Sequence, residues 1–181
     1  MIARHPWTWL PESRQVAVLS WSLVLTLLLI VVLQASGNSL RTEAASAGIV
    51  SFELAGSLSV TNAILADWEA EQRTAAGFNL GIDYLFLFAY SISISLACAL
   101  LSQRYGRDSW PRIAGTLLSW GALLAGALDA VENVALTRLL FGSQDPFLPP
   151  LARHAALLKF GLAFAGLAYV LLAAAFLARR R

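Results

Sequence analysis

The chain has 181 residues, of which 58% are hydrophobic and only 13% charged. A soluble domain carries about twice that share of charge, so the composition points to one membrane domain. The net charge of +2 and the scatter of basic residues, with no basic run interleaved with aromatics, exclude a nucleic-acid surface. The single cysteine, Cys98, excludes an intramolecular disulfide and dithiol redox chemistry.

The chain opens on His5-Pro6-Trp7-Thr8-Trp9-Leu10-Pro11. Two prolines predict an irregular segment, and two indoles place it at the headgroup level. An uncharged apolar run over 16–34 is then long enough to span a bilayer. It has some features of a cleaved signal peptide: Arg4 and Arg14 supply a basic start, and Leu33-Gln34-Ala35 a passable cleavage site. Its apolar stretch exceeds the usual ~7–15 residues of such a peptide, which favours a retained helix.

Residues 42–74 are too polar to span, with Glu43, Glu53, Asn62, Asp67, Glu69, Glu71 and Arg73. Yet Ile49, Phe52, Ala63, Ile64 and Trp68 recur at helical spacing, so an amphipathic helix on the outer face is expected. Trp68 reads first as an interface anchor and second as the wall of a ligand site. Three further spans are predicted over 78–101, 113–140 and 155–177. Pro146, Pro149 and Pro150 mark a rigid turn before the last of them. The expected fold is therefore all-α: a polytopic four-helix bundle with an amphipathic outer segment between the first and second spans.

Arginine placement sets the expected orientation. Arg4, Arg14, Arg104, Arg107, Arg112, Arg179, Arg180 and Arg181 flank one side, and Arg41, Arg73, Arg138 and Arg153 the other. That bias puts both termini in the cytoplasm of a bacterial inner membrane.

Charges inside the spans then fall at overlapping depths. At the helical rise, Asp83 lies about 8 Å, Lys159 about 9 Å, Glu132 about 12 Å and Asp129 about 16 Å below the outer surface. Asp129, Glu132 and Asn133 share one arc of the third span; Asn79, Asp83 and Tyr90 form a stripe on the second. Small residues at Gly121, Gly126, Gly161 and Gly166 allow close helix approach. The expectation is that Asn79, Asp83, Asp129, Glu132, Asn133 and Lys159 converge. Such groups often serve only to hold membrane helices together. Three acids against one base leave the cluster at net −2 if all ionise, however, and each costs about 2.5–3.5 kcal/mol at mid-bilayer. A proton, a rim residue (Arg138, Arg153 or His154) or a bound cationic group would restore balance. Glu53 would add a further acid if it folds over the cluster, or else lie on a solvated face. Tyr90 reads as core packing with its hydroxyl satisfied within the bundle, or as part of the ligand site.

Familiar chemistries are missing. His5 and His154, on opposite sides in this topology, do not make a haem pair, and neither marks a metal site. The pair of Glu-x-x-His motifs of di-iron bundles, the phosphate-binding Gly-x-x-x-x-Gly-Lys loop and the Gly-x-Ser-x-Gly elbow do not occur. Asp83 and Asp129 sit on neighbouring spans as in intramembrane aspartyl peptidases, but their flanks match no such motif. No cofactor is expected.

Phe52-Glu53-Leu54-Ala55, Ile64-Leu65-Ala66-Asp67-Trp68, Asp83-Tyr84-Leu85-Phe86, the run Ala125 to Asn133 and Lys159-Phe160 together resemble a loose family of uncharacterised bacterial four-helix membrane proteins. The resemblance covers about residues 50–170, with Asp-x-x-Glu-Asn its most specific piece. It implies no activity, only that these polar residues belong together.

Three functions fit. One is a binding site for a proton-linked solute, cation or lipid headgroup, possible in a homodimer, with Asp129 and Glu132 as carriers and Asn79 and Asn133 orienting the ligand. Another is an acid–base enzyme on a lipid or isoprenoid, with Asp129 or Glu132 as acid or base, Lys159 tuning it and Asp83 beside them. The last is an accessory subunit whose acidic face meets a basic partner in the membrane. The orientation is testable directly. A reporter active only outside the cytoplasm should work when inserted after Ser143 and fail when fused after Arg181; the reverse pattern overturns the topology.

Overall fold

The computed structural model describes residues 4–179, so Arg180 and Arg181 of the terminal arginine triplet lie outside it. Among the described residues the chain is helical, without strands. The order is α1 (Glu12–Gly37), a 3-10 turn (Asn38–Leu40), α2 (Ile49–Glu53), α3 (Leu58–Asp67), α4 (Ala70–Ser102), α5 (Trp110–Leu140) and α6 (Leu148–Ala178). The four long helices α1, α4, α5 and α6 are apolar enough to cross a membrane, and the chain is a multi-pass membrane protein. In lipid no water satisfies a free peptide group, which is why these stretches close their hydrogen bonds internally as helices. Trp21, Val31, Leu171 and Leu172 remain at least two-thirds exposed, an apolar surface that suits a lipid environment. Burial of the apolar spans rises from 11% in α1 and α6 to 39% in α5 and 61% in α4, so α4 is the most enclosed.

Helix ends follow local chemistry. The Pro11 carbonyl accepts from the Arg14 and Gln15 amides at the start of α1. Gly142, at φ 90°, takes the left-handed position after α5, where the Ser143 amide closes onto the Arg138 carbonyl at 3.0 Å. The proline-rich stretch after α5 is shorter as a turn than its composition predicts. Pro149 and Pro150 lie inside the first turn of α6, which begins at Leu148. First-turn amides have no acceptor within the helix, so proline is tolerated there.

Contacts group the chain into two compact units: residues 1–26, 88–126 and 159–181 in the first, and 27–87 with 127–158 in the second. In the first, serines join helices. Ser93 Oγ donates to Ser22 Oγ at 2.8 Å, and Ser95 Oγ donates to the Ser119 carbonyl at 2.7 Å. Ser91 and Ser93 also bond back to their own helix, as expected of serine in an apolar span. The N-terminal segment packs into this unit as well: Trp7 Nε1 donates to Ser95 Oγ at 2.8 Å, while Trp9 is exposed.

In the second unit the outer segment is resolved as two short helices, α2 and α3, followed by the start of α4. Gly48 and Gly56, both at positive φ, break it, and Ser57 caps α3 by accepting from the Val60 amide. The breaks turn Phe52, Ile64 and Trp68 inward onto Leu40, Leu136 and Leu139, while Ala63 faces out. Trp68, expected at the interface, is 1% exposed, and its Nε1 donates to the Leu40 carbonyl at 3.1 Å. The Phe52 ring lies 5.3 Å from it. Asp67 pins the preceding loop: the Thr42 hydroxyl and then the Ala44 amide hold its carboxyl below the ordinary carboxylate pKa. Because the folded value is depressed, this tie is present above the unfolded pKa and lost as pH falls through the folded one. Trp68→Phe removes a buried donor and leaves the Leu40 carbonyl short of its partner. It should lower stability by about 1–3 kcal/mol, measured by unfolding in detergent.

Candidate functional site

The polar residues of interest are distributed over both units. Asn79, Asp83, Asp129, Glu132, Asn133, Glu53 and Trp68 belong to the second; Tyr90 and Lys159 belong to the first.

Within the second unit, α5 supplies the most enclosed acids. Asp129, Glu132 and Asn133 are 2%, 0% and 2% exposed. Their spacing of three and four residues puts them on one helical face, above the buried Ala122 and Ala125 in the same helix. Opposite Asn133, α4 presents Asp83. Asn133 Nδ2 donates to Asp83 Oδ2 at 2.7 Å, a short bond across helices. Asp83 is only half-buried, so it keeps a path outward.

One turn earlier on α4, Asn79 faces α1. Its Nδ2 donates to the Leu33 carbonyl at 3.0 Å and to Ser36 Oγ at 2.8 Å. Both amide hydrogens are thereby committed to holding α1, which leaves only the carbonyl oxygen for a ligand. Glu53 ends α2 beside Phe52 and is half-buried. Glu53, Asp129, Glu132 and Lys159 all have interaction partners within the protein. Lys159 is 6% exposed, with Nζ 5.1 Å from the centre of the adjacent Phe160 ring. Tyr90 is buried at 8% exposure.

The basic residues of the second unit sit at its rim. Arg138 lies 4.0 Å from Asp145, with its side chain more than half exposed. Arg73 donates to the Trp68 and Leu65 carbonyls, closing the C-terminal end of α3. The Arg153 side chain covers Gly56, where a Cβ would meet its Cδ at 2.8 Å. His154 Nδ1 is 2.6 Å from the Pro150 carbonyl. Among the described residues no three His, Cys, Asp or Glu side chains are grouped to hold a metal ion.

Sequence reasoning placed the buried acids of α5 on one face but missed what Asn79 and Trp68 do. Each serves a backbone carbonyl of the first span or the turn after it, and no spacing rule signals such a contact.

Comparison with protein-family models, curated proteins and solved structures finds no match to this chain.

The Asn133–Asp83 bond is open to a double-mutant cycle with Asn133→Ala and Asp83→Ala. A coupling of about 1–2 kcal/mol is expected, above the average near 0.6 kcal/mol for interhelical hydrogen bonds in a membrane protein. A coupling near zero would mean the contact contributes no stability.

Proposed function

We propose that this membrane protein binds a proton-linked solute, a cation or a lipid headgroup through the acidic face of α5. In this reading Asp129 and Glu132 carry the exchangeable proton or meet the ligand's positive charge. Asn133 and Asp83 form the half-open flank by which the ligand arrives. The termini face the cytoplasm of a bacterial inner membrane, as the arginine bias favours.

One observation carries the reading: two carboxyl side chains, Asp129 and Glu132, are almost completely enclosed within one turn of a membrane-spanning helix. Enclosing an ionised carboxylate costs several kcal/mol, on the order of what its best partners return. Ionisable residues retained at such a position are most simply explained by a function that uses their charge. Asn133 supports the reading because it ties Asp83 of α4 to the same face of α5.

The test is a difference infrared spectrum of the reconstituted protein across a pH titration, paired with a native mass spectrum from mild detergent. A protonated-carboxyl band that titrates in the wild type and is lost in Glu132→Gln or Asp129→Asn is expected. A non-protein adduct should be lost in the same variants. Unchanged bands and an unchanged adduct in both variants would sink the proposal. A stoichiometric second polypeptide in place of the adduct would point instead to a subunit role.

A further inference from the structure

The first unit holds a second polar site of opposite charge. A cavity of about 500 Å³ opens between the N-terminal segment, the start of α1 and the facing ends of α4 and α5. Arg4, His5, Gln15, Arg107, Arg112 and Thr116 are among the residues that line it. That volume is in the range of small-molecule pockets.

The walls are fixed by hydrogen bonds rather than left to a loose terminus. Trp7 Nε1 is bonded to Ser95 Oγ on α4, and Trp120 Nε1 donates to the Arg4 carbonyl at 2.9 Å from α5. From α1, Gln15 Nε2 donates to the carbonyls of Trp7 at 2.9 Å and Leu10 at 2.7 Å. Two tryptophans and one glutamine thus hold an irregular, proline-flanked stretch in place.

Among the described residues three guanidinium groups line the cavity against one carboxylate, and that carboxylate, Glu12, is engaged by Arg104 at 3.1 Å. Arg112 uses Nη1 on the Tyr105 carbonyl at 3.3 Å, which leaves it further N–H groups for a ligand. Burial and then the Arg112 charge hold the His5 imidazole below its usual pKa, as expected beside a positive centre.

An independent observation concerns Gln15. The residue is 4% exposed and lines the cavity, and its Oε1 is buried with no hydrogen-bond partner. The amide cannot be turned round to relieve this, because its nitrogen already serves two carbonyls. A buried acceptor without a donor costs about 1–3 kcal/mol. The hydroxyl of an alcohol bound in the cavity would supply that donor, which sulfate or chloride would not.

We infer that this cavity binds a phosphate ester of a hydroxylated alcohol, with Arg4, Arg107 and Arg112 on the phosphate and Gln15 Oε1 accepting from an alcohol hydroxyl. The chemistry is shared by a lipid headgroup such as phosphoglycerol and by a soluble ester such as glycerol phosphate. Basic pockets at the ends of membrane helices are a known way to hold anionic headgroups. The cavity shares no lining residue with the acidic face of α5, and its success or failure leaves that reading untouched.

The experiment uses the full chain in nanodiscs of equimolar phosphatidylglycerol and phosphatidylcholine. Lipid retained after gentle release is counted by native mass spectrometry. The wild type should retain phosphatidylglycerol over phosphatidylcholine by about tenfold, a difference of roughly 1.4 kcal/mol. The exposed pair Arg4→Gln with Arg107→Gln, which should fold, is expected to abolish the preference. Arg14→Gln with Arg179→Gln removes the same charge away from the lining residues and should keep it. Retention of the headgroup preference only by the control pair supports a lipid occupant. If soluble glycerol phosphate binds detergent-extracted protein with the same variant pattern and no lipid preference exists, the occupant is a soluble ester. Equal loss in both pairs would reduce the effect to surface charge and overturn the pocket. So would equal retention of the two lipids together with no glycerol phosphate binding.

Discussion

In an apolar solvent a polar group has no partner except another part of the same chain, and this constraint organises the molecule. It acts first on the backbone, which closes into helices. It acts next on the polar side chains, some of which bond back to their own helix while others become ties between elements. Ser22 and Ser93, Ser95 and Ser119, Asn79 and Ser36, and Asn133 and Asp83 are all such ties. Apolar packing alone discriminates poorly among helix pairings, because lipid tails compete equally well for a leucine surface. The polar contacts therefore supply much of the register.

The same constraint explains the outer segment. Residues 42–68 do not span, yet they bury Phe52, Ile64 and Trp68 as a soluble core would. Their loops are satisfied locally: Trp68 and Gln72 donate to the carbonyls of Leu40 and Ser39 after α1, and Asp67 accepts from the Ala44 amide. Gly56, at positive φ, separates α2 from α3, and Phe52 on one side and Ile64 and Trp68 on the other meet in the same apolar cluster. The Arg153 side chain uses the space that Gly56 leaves.

Charge is partitioned between the two units. In the second, buried acids lie along α5, and arginines are kept to the rim with tasks of their own. In the first, arginines gather round a cavity whose lining acid, Glu12, is engaged by Arg104. Acidic and basic side chains are thus grouped on different elements of the fold.

The sequence by itself determined the four spans, because about 20 apolar residues in a row have few other fates. It also determined that Asp129, Glu132 and Asn133 share a face, since helical periodicity is a local property. Helix ends were less legible: α4 and α6 begin earlier than hydropathy predicts, because their first turns tolerate polar residues or proline. Tertiary structure alone decided the rest. Trp68 is a buried donor rather than an interface anchor, Asn79 is spent on α1, and Trp7 reaches Ser95 across 88 positions of the chain. Those outcomes depend on which carbonyl or hydroxyl happens to lie opposite, and that is set by packing between helices distant in sequence rather than by any pattern within one.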